Sequence, residues 1–444
     1  MKLVHHGAYD GVTGSCHQYW INDDESVLVD CGTFQGQDAK KHPNPEINFS
    51  LQGIVALLLT HVHVDHVGRV PYLLGAGFRG PIYCSRPTAE LLPLVMEDSL
   101  RIGFTKNKRG IEFFLKNIGD MLRPVPYGIW QPIPGDAKIR LNPAGHVLGS
   151  TFFEIESRDG TVAVFSGDLG PKEAPLLNPP QSPPHADILV LESTYGDTLH
   201  PPLIDRKKQL EKILCKTLDN GGVTIIPSFS LGRTQDLLLE MNEIFEHLDR
   251  HCECDSLRTV PVIVDSPLAS RYTNIYSRLS EFWGDEAKRV LTYDDQPLVF
   301  ERLQSVGDHR EHMEVVSQLK TSHDAAIVIA GSGMCTGGRV VNYLKMFLGR
   351  SNTDVIFVGY QALGTPGHYM QHAGEWVRLD GKRFEINATI HTISGYSAHA
   401  DQADLIRFVE GFESRPKRIR LVHGEYHAKK VLTAELTRRG YVVD

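Results

Sequence analysis

Short apolar runs recur along the chain, and each ends in a residue able to bind a metal or carry a proton. Ser26-Val27-Leu28-Val29 leads into Asp30, and Ile54-Val55-Ala56-Leu57-Leu58-Leu59 leads into His61. Val162-Ala163-Val164-Phe165 leads through Ser166-Gly167 to Asp168, Ile188-Leu189-Val190-Leu191 ends in Glu192, and Ile419-Arg420-Leu421-Val422 ends in His423. Runs that stay apolar rather than alternating predict strands buried on both faces. One such ending is uninformative, because Asp and Gly terminate many strands. Five in one chain predict sheet edges converging on a single site.

Between these strands the periodicity changes in an ordered way. Gly7, Gly11 and Gly14 mark a turn between two strands, and residues 86–122 have a helical pattern whose Lys106, Lys108 and Arg109 read as a solvated face. After residue 195 the style shifts. Pro201-Pro202 marks a boundary, a helix is predicted over 205–218, and four strand, turn, helix units follow at 223–226, 262–264, 326–329 and 354–358. Alternation of this kind predicts a second α/β domain with a mostly parallel sheet. From about residue 376 the first style returns with a strand over 383–390, the segment Ser394-Gly395-Tyr396-Ser397-Ala398-His399-Ala400-Asp401, a helix through Leu405, and His423. The expected organisation is a first domain over 1–200 and 376–444, interrupted by an insertion over 201–375.

Composition narrows the class. A chain of 444 residues exceeds one ordinary core, and 41% hydrophobic with 23% charged residues describes a globular protein. No apolar run approaches the roughly 18 residues of a membrane span, and the start lacks a signal-peptide core, so no membrane partner and a cytoplasmic location are expected. Seven cysteines, an odd number, fit reduced thiols better than a disulfide scaffold. A net charge of −8 gives no global attraction to nucleic acid.

The densest chemistry lies at His61-Val62-His63-Val64-Asp65-His66. His61 and His63 alternate, so an extended backbone turns both to one face, while Asp65 and His66 fall where the chain turns into a helix. Four ligands in six positions can bind two metals, and imidazole with carboxylate suits zinc. His146, in a glycine-bounded loop, gains meaning because a tetrahedral site on His61 and His63 still needs a third nitrogen. The loop Gly331-Ser332-Gly333-Met334 precedes a helix and is either a phosphate cradle or a tight strand-to-helix turn. His251-Cys252-Glu253-Cys254 reads as a linker, and His368 and His372 carry no metal expectation.

These motifs resemble a known family. His61-Val62-His63-Val64-Asp65-His66 with Asp30, His146 and Asp168 looks like the signature of the metallo-β-lactamase fold, an αββα sandwich. Glu192, Ser397-Ala398-His399-Ala400-Asp401 and Leu421-Val422-His423-Gly424-Glu425 resemble the additional motifs of the β-CASP nucleases. Gly232-Arg233-Thr234-Gln235-Asp236 and the Gly331 loop resemble parts of the β-CASP insertion. The likeness covers nearly the whole chain and is greatest to prokaryotic homologues of the RNA 3′-end-processing endonuclease of the cleavage and polyadenylation specificity factor.

The resemblance implies an αββα sandwich interrupted by a parallel-sheet insertion, and hydrolysis of single-stranded RNA, endonucleolytic or also 5′–3′ exonucleolytic. It implies two zinc ions, or manganese in their place. His61, His63 and His146 would hold one, Asp65, His66 and His423 the other, and Asp168 would bridge. Asp30 would orient a histidine ligand, and His399 would be the general acid, oriented by Glu192. Arg233, Gly331, Ser332, Gly333, Arg339, Ser394 and Ser397 are the expected phosphate contacts, and relatives suggest a homodimer. The competing classes are a thioester, lactone or β-lactam hydrolase, a DNA-processing nuclease, and an RNA-binding subunit without turnover.

Overall fold

The computed structural model describes residues 2–201, 203–251, 260–322, 324–372, 374–393 and 395–444. Pro202, Cys252, Glu253, Cys254 and Ser394 lie outside them. The chain forms two compact units, Met1–Leu199 with Ala398–Asp444, and His200–Ser397.

In chain order the first unit contributes β1 (Leu3–Gly7), β2 (Cys16–Trp20), β3 (Ser26–Val29), β4 (Ile54–Leu58), β5 (Ile82–Cys84), β6 (Leu122–Pro124), β7 (Gln131–Ile133), β8 (Ala137–Pro143), β9 (Thr151–Glu156), β10 (Val162–Phe165) and β11 (Ile188–Glu192). The second contributes β12 (Val223–Pro227), β13 (Val262–Asp265), β14 (Leu303–Ser305), β15 (Ala326–Ala330), β16 (Thr353–Phe357), β17 (Trp376–Leu379), β18 (Lys382–Glu385) and β19 (Thr389–Thr392). The chain then returns to the first unit with β20 (Arg418–Val422).

In the first unit β1 to β6 form one sheet in sequence order, and the other runs β20-β11-β10-β9-β8-β7. Alternate residues explain why the apolar runs are continuous. Ala163 and Phe165 of β10, with Ile188 and Val190 of β11, fill the layer between the sheets beside Val27, Val29, Ala56 and Leu58. Their neighbours Val164, Leu189 and Leu191 turn the other way, against Leu405, Phe408 and Val409 of helix Gln402–Glu410 and Leu432 and Leu436 of helix Tyr426–Arg438. Both faces of the strand are therefore dry. Helix Arg86–Gly103 packs against β6, so the layers read helix, sheet, sheet, helix, the expected αββα sandwich. β3 pairs parallel with β4, and β10, β11 and β20 pair parallel with one another, so within each sheet these carboxyl ends share an edge.

The second unit is a parallel sheet in the order β14-β13-β15-β12-β16-β19. Its extent differs from the expected 201–375. β19 pairs parallel with β16, Asp354 against Thr389 and Phe357 against Thr392, and Val377, Leu379 and Ala388 enter the same core as Val355 and Phe357. The return to the first unit thus falls at Ala398, not at residue 376. A strand-like run shows that a strand forms but not which sheet it joins.

Candidate metal centre

Each donor is delivered by a strand end or the turn after it. Beyond β4 the chain passes Thr60 and His61 and enters the one-turn helix Val64–Val67, which carries Asp65 and His66. Gly32 permits this turn to sit where it does: a Cβ there would lie 1.5 Å from the Asp65 carbonyl oxygen. His423 follows β20 with φ of 52°, a left-handed conformation unusual for a side chain that is not glycine. Such strain persists where surroundings enforce it, and here the His423 amide donates to the Ala8 carbonyl at 2.7 Å.

The side chains converge on Asp168. Its Oδ2 lies 3.5 Å from Nε2 of both His61 and His146, while Oδ1 lies 3.2 Å from His66 Nε2 and 3.6 Å from His423 Nε2. His63 Nδ1 is 3.1 Å from His61 Nε2 and 3.0 Å from His146 Nε2, and Asp65 Oδ2 is 3.3 Å from His423 Nε2. Two donor groups result, His61, His63, His146 and Asp168, and Asp65, His66 and His423, with Asp168, Glu192 and His399 gathered beside them.

Hydrogen bonds on the far side of four of the rings settle which nitrogen faces inward. Thr60 Oγ1 donates to Asp30 Oδ2 at 2.8 Å and accepts from His61 Nδ1 at 3.1 Å. His66 Nδ1 donates to Asp30 Oδ2 at 2.8 Å, His146 Nδ1 to the Ala398 carbonyl at 2.9 Å, and His423 Nδ1 to Thr194 Oγ1 at 3.1 Å. Each leaves Nε2 aimed at Asp168, as ligating histidines require. Nitrogens facing one another across 3.0–3.1 Å have nothing between them but lone pairs or protons. The buried His66 Nε2 and Asp168 Oδ1 make no hydrogen bond. Four donors around a zinc would stand about 3.3 Å apart, from Zn–N distances of about 2.0–2.1 Å. The residues present fit a cation.

Electrostatics separate the donors. Burial holds His61 and His146 well below the usual imidazole value and His63 near 4, so their lone pairs are free at neutral pH. Burial works in the same direction on His66 and His423, but Asp168 outweighs it, helped by Asp30 for His66 and Asp65 for His423. His66 is held well above its ordinary value and His423 at about 9. Burial also opposes charge on His399, yet Glu192 and Asp168 raise it. His399 Nδ1 lies 3.2 Å from Glu192 Oε1, and the buried Glu192 also accepts from the amides of Leu169 and Thr194 at 2.8 and 3.2 Å.

The structure thus brings Asp30, His61, His63, Asp65, His66, His146, Asp168, Glu192, His399 and His423 together. Thr60, Thr194 and the Ala398 carbonyl went unforeseen, although each adjoins a predicted donor or lies two residues from one. The expected phosphate contacts sit in the second unit. Gly331, Ser332 and Gly333 follow β15, where Ser332 Oγ accepts from the Thr336 amide at 3.1 Å and the Gly333 carbonyl accepts from Gln361 Nε2 at 2.8 Å. Ser397 is partly buried at the end of that unit. The Arg339 guanidinium is committed to Asp265 Oδ1 at 2.6 Å and to the carbonyls of Val306 and Gly307. Arg233 is buried, 3.8 Å from Asp236.

Sandwich and donor set together define a metal-dependent hydrolase. Comparison with known proteins bears this out: residues 11–214 match the metallo-beta-lactamase superfamily, 234–370 the Beta-Casp domain, and 383–444 the Zn-dependent metallo-hydrolase RNA specificity domain. A ribonuclease of Thermus thermophilus is 35% identical over 100% of this chain and 97% of its own. The transcription termination factor FttA of Methanocaldococcus jannaschii is 32% identical, covering 95% of this chain and 66% of that one. A solved structure of a protein of unknown function from Enterococcus faecalis V583 shares the fold, with a TM-score of 0.54 at 13% identity over 99% of this chain and 96% of that one. The chain belongs to the β-CASP family of the metallo-β-lactamase superfamily.

Proposed function

We propose that the protein is a zinc-dependent ribonuclease that hydrolyses phosphodiester bonds of single-stranded RNA. The observation that carries this is the centre itself, two donor groups sharing Asp168 beside His399, whose proton affinity Glu192 and Asp168 raise, in a chain 35% identical over its whole length to a ribonuclease. Two zinc ions fit the two groups, with manganese the alternative. Divalent cations held by these two groups would supply a nucleophile from water near neutral pH and would offset charge on the phosphate. The protein's residues do the rest. Asp168 turns one oxygen to each group and so sets their spacing. Thr60, Asp30, Thr194 and the Ala398 carbonyl hold the imidazoles in one tautomer. His399, its proton affinity raised by Glu192 and Asp168 against the opposing effect of burial, donates its proton to the departing sugar oxygen, leaving 5′-phosphate and 3′-hydroxyl ends. Cation charge held at the phosphate by these donors would explain how a chain of net charge −8 handles a polyanion.

No described helix is long and apolar enough to cross a membrane. Cys16, Cys31, Cys84 and Cys335 are free thiols, which supports work in the reducing cytoplasm. Homodimerisation, carried over from the family, is read by sedimentation velocity.

The deciding experiment compares metal-loaded wild type with His399→Ala on matched RNA and DNA oligonucleotides, with metal content measured alongside. Cleavage of RNA slowed at least about a hundredfold with metal retained supports the general acid. Metal lost from the variant would make His399 a ligand. Unslowed cutting would remove it from the reaction, and preference for DNA or for a thioester would change the substrate class.

A further inference from the structure

The loop between β1 and β2 is tied to the turn that carries His423. Besides the His423 amide on the Ala8 carbonyl, the Gly424 amide donates to the Gly11 carbonyl at 3.3 Å, and Lys429 Nζ donates to the carbonyl of Tyr9. Tyr9 rides on this loop. Its ring lies flat on His5, centroids 4.9 Å apart and planes within 4°, with the cations of Arg420 and Lys429 at 5.7 and 5.6 Å from its centre. It remains 36% exposed. Tyr426 opens the helix three residues beyond His423, one turn ahead of Lys429, and is 79% exposed. A half-exposed ring and an open one thus ride on the two segments that hold His423 in place.

Neither ring belongs to the core of the unit. The charges around them come close to cancelling, with Arg420, Lys429 and Lys41 set against Asp10, Asp38, Glu425 and Asp444. A grip on phosphate would call for an excess of cation, whereas stacking on bases needs an exposed ring and a backbone that holds it still. We propose that Tyr9 and Tyr426 stack on unpaired nucleobases of the RNA next to the phosphate that is cut, so that the metal centre holds the phosphate and the two tyrosines hold the strand. This rests on the ribonuclease reading. A base inside a duplex has both faces covered by its neighbours in the stack, so the same arrangement selects single strands.

The test uses the full-length metal-loaded protein and a set of single-stranded RNA oligonucleotides, each with one abasic nucleotide at a different distance from the cut. With wild type, removing a base at one or two positions beside the cut lowers kcat/KM about 5- to 100-fold. Tyr426→Ala and Tyr9→Leu lower kcat/KM on the intact oligonucleotide by a similar factor and erase the penalty of the missing base, while Tyr426→Trp keeps both. The proposal is overturned if the abasic penalty persists undiminished in both variants, or if each slows intact and abasic RNA equally. Metal content and thermal midpoint, followed in parallel, show that the variants are folded. A wild type that retains its metal but cuts no RNA would instead sink the ribonuclease reading.

Discussion

Each unit carries a buried cluster of carboxylate and histidine at or just beyond the end of a strand, and the two differ in how their hydrogen bonds close. Asp265 ends β13 and is fully buried. It accepts from His312 Nδ1 at 2.5 Å, Tyr343 at 2.5 Å and Arg339 at 2.6 Å, and His312 Nε2 accepts from Asn342 Nδ2 at 2.8 Å. Every ring nitrogen and carboxylate oxygen there has a partner. Asp168, two turn residues beyond β10, faces four imidazole nitrogens at 3.2–3.6 Å and leaves Oδ1 without a hydrogen bond. The first arrangement is closed and can only hold its loops in place. The second is complete only when a cation enters, because buried polar groups are otherwise costly to leave unmatched. Residue types alone do not distinguish a brace from a reactive centre; the direction of their lone pairs does.

Two substitutions break this contrast most sharply. Asp168→Ala removes the carboxylate shared by both donor groups, so bound metal is lost and RNA hydrolysis falls by about a thousandfold or more, read by elemental analysis and initial rates. Asp265→Ala leaves a half-buried Arg339 and a buried His312 without their carboxylate acceptor. It should cost about 3–5 kcal/mol in denaturant unfolding of the second unit while leaving the metal content intact. Metal loss from Asp265→Ala with stability retained would erase the distinction between the clusters.

Much of the centre was readable in advance because its donors follow apolar runs whose burial on both faces is dictated by the layers. His61, His63, Asp65 and His66 needed no tertiary information. The contrast with the brace was not readable. Val262-Ile263-Val264-Asp265 has the same grammar as the run leading to Asp168, and its closing partners His312 and Arg339 arrive from 47 and 74 residues away. For the same reason Arg339 looked available to a phosphate. The boundary at Ala398 escaped because strand patterning carries no sheet address. Thr60 and Thr194 escaped because a hydroxyl is unremarkable until the ring it orients is known.

A smaller effect comes from pH. Asp236 lies near Arg233 with 15% of its side chain exposed, and burial, with help from Glu240, lifts its carboxyl to about 6 against the opposing arginines. A folded-state value above the unfolded one means stability present in full below about 3.9 and lost as pH rises through about 6. Discounted for that exposure, the loss is about 1–2 kcal/mol. Asp236→Asn should flatten the stability profile of the second unit between pH 4 and 7, and an unchanged slope would remove Asp236 as its cause.

The finest test concerns orientation alone. Asp30 is fully buried and sits outside both donor groups, yet it accepts from His66 Nδ1 and from the Thr60 amide and hydroxyl, each at 2.8 Å. Thr60 in turn accepts from His61 Nδ1, so one carboxylate steers a ring in each group. Asp30→Ala should weaken metal affinity about 10- to 100-fold, measured by competition with a chromogenic chelator, while saturating metal restores most of the hydrolysis. Asp265 performs the same steering for His312, but no ligand waits on the far side of that ring, so Asp265→Ala should leave the chelator titration where it was. If both substitutions shifted the titration alike, the two clusters would be coupled rather than distinct.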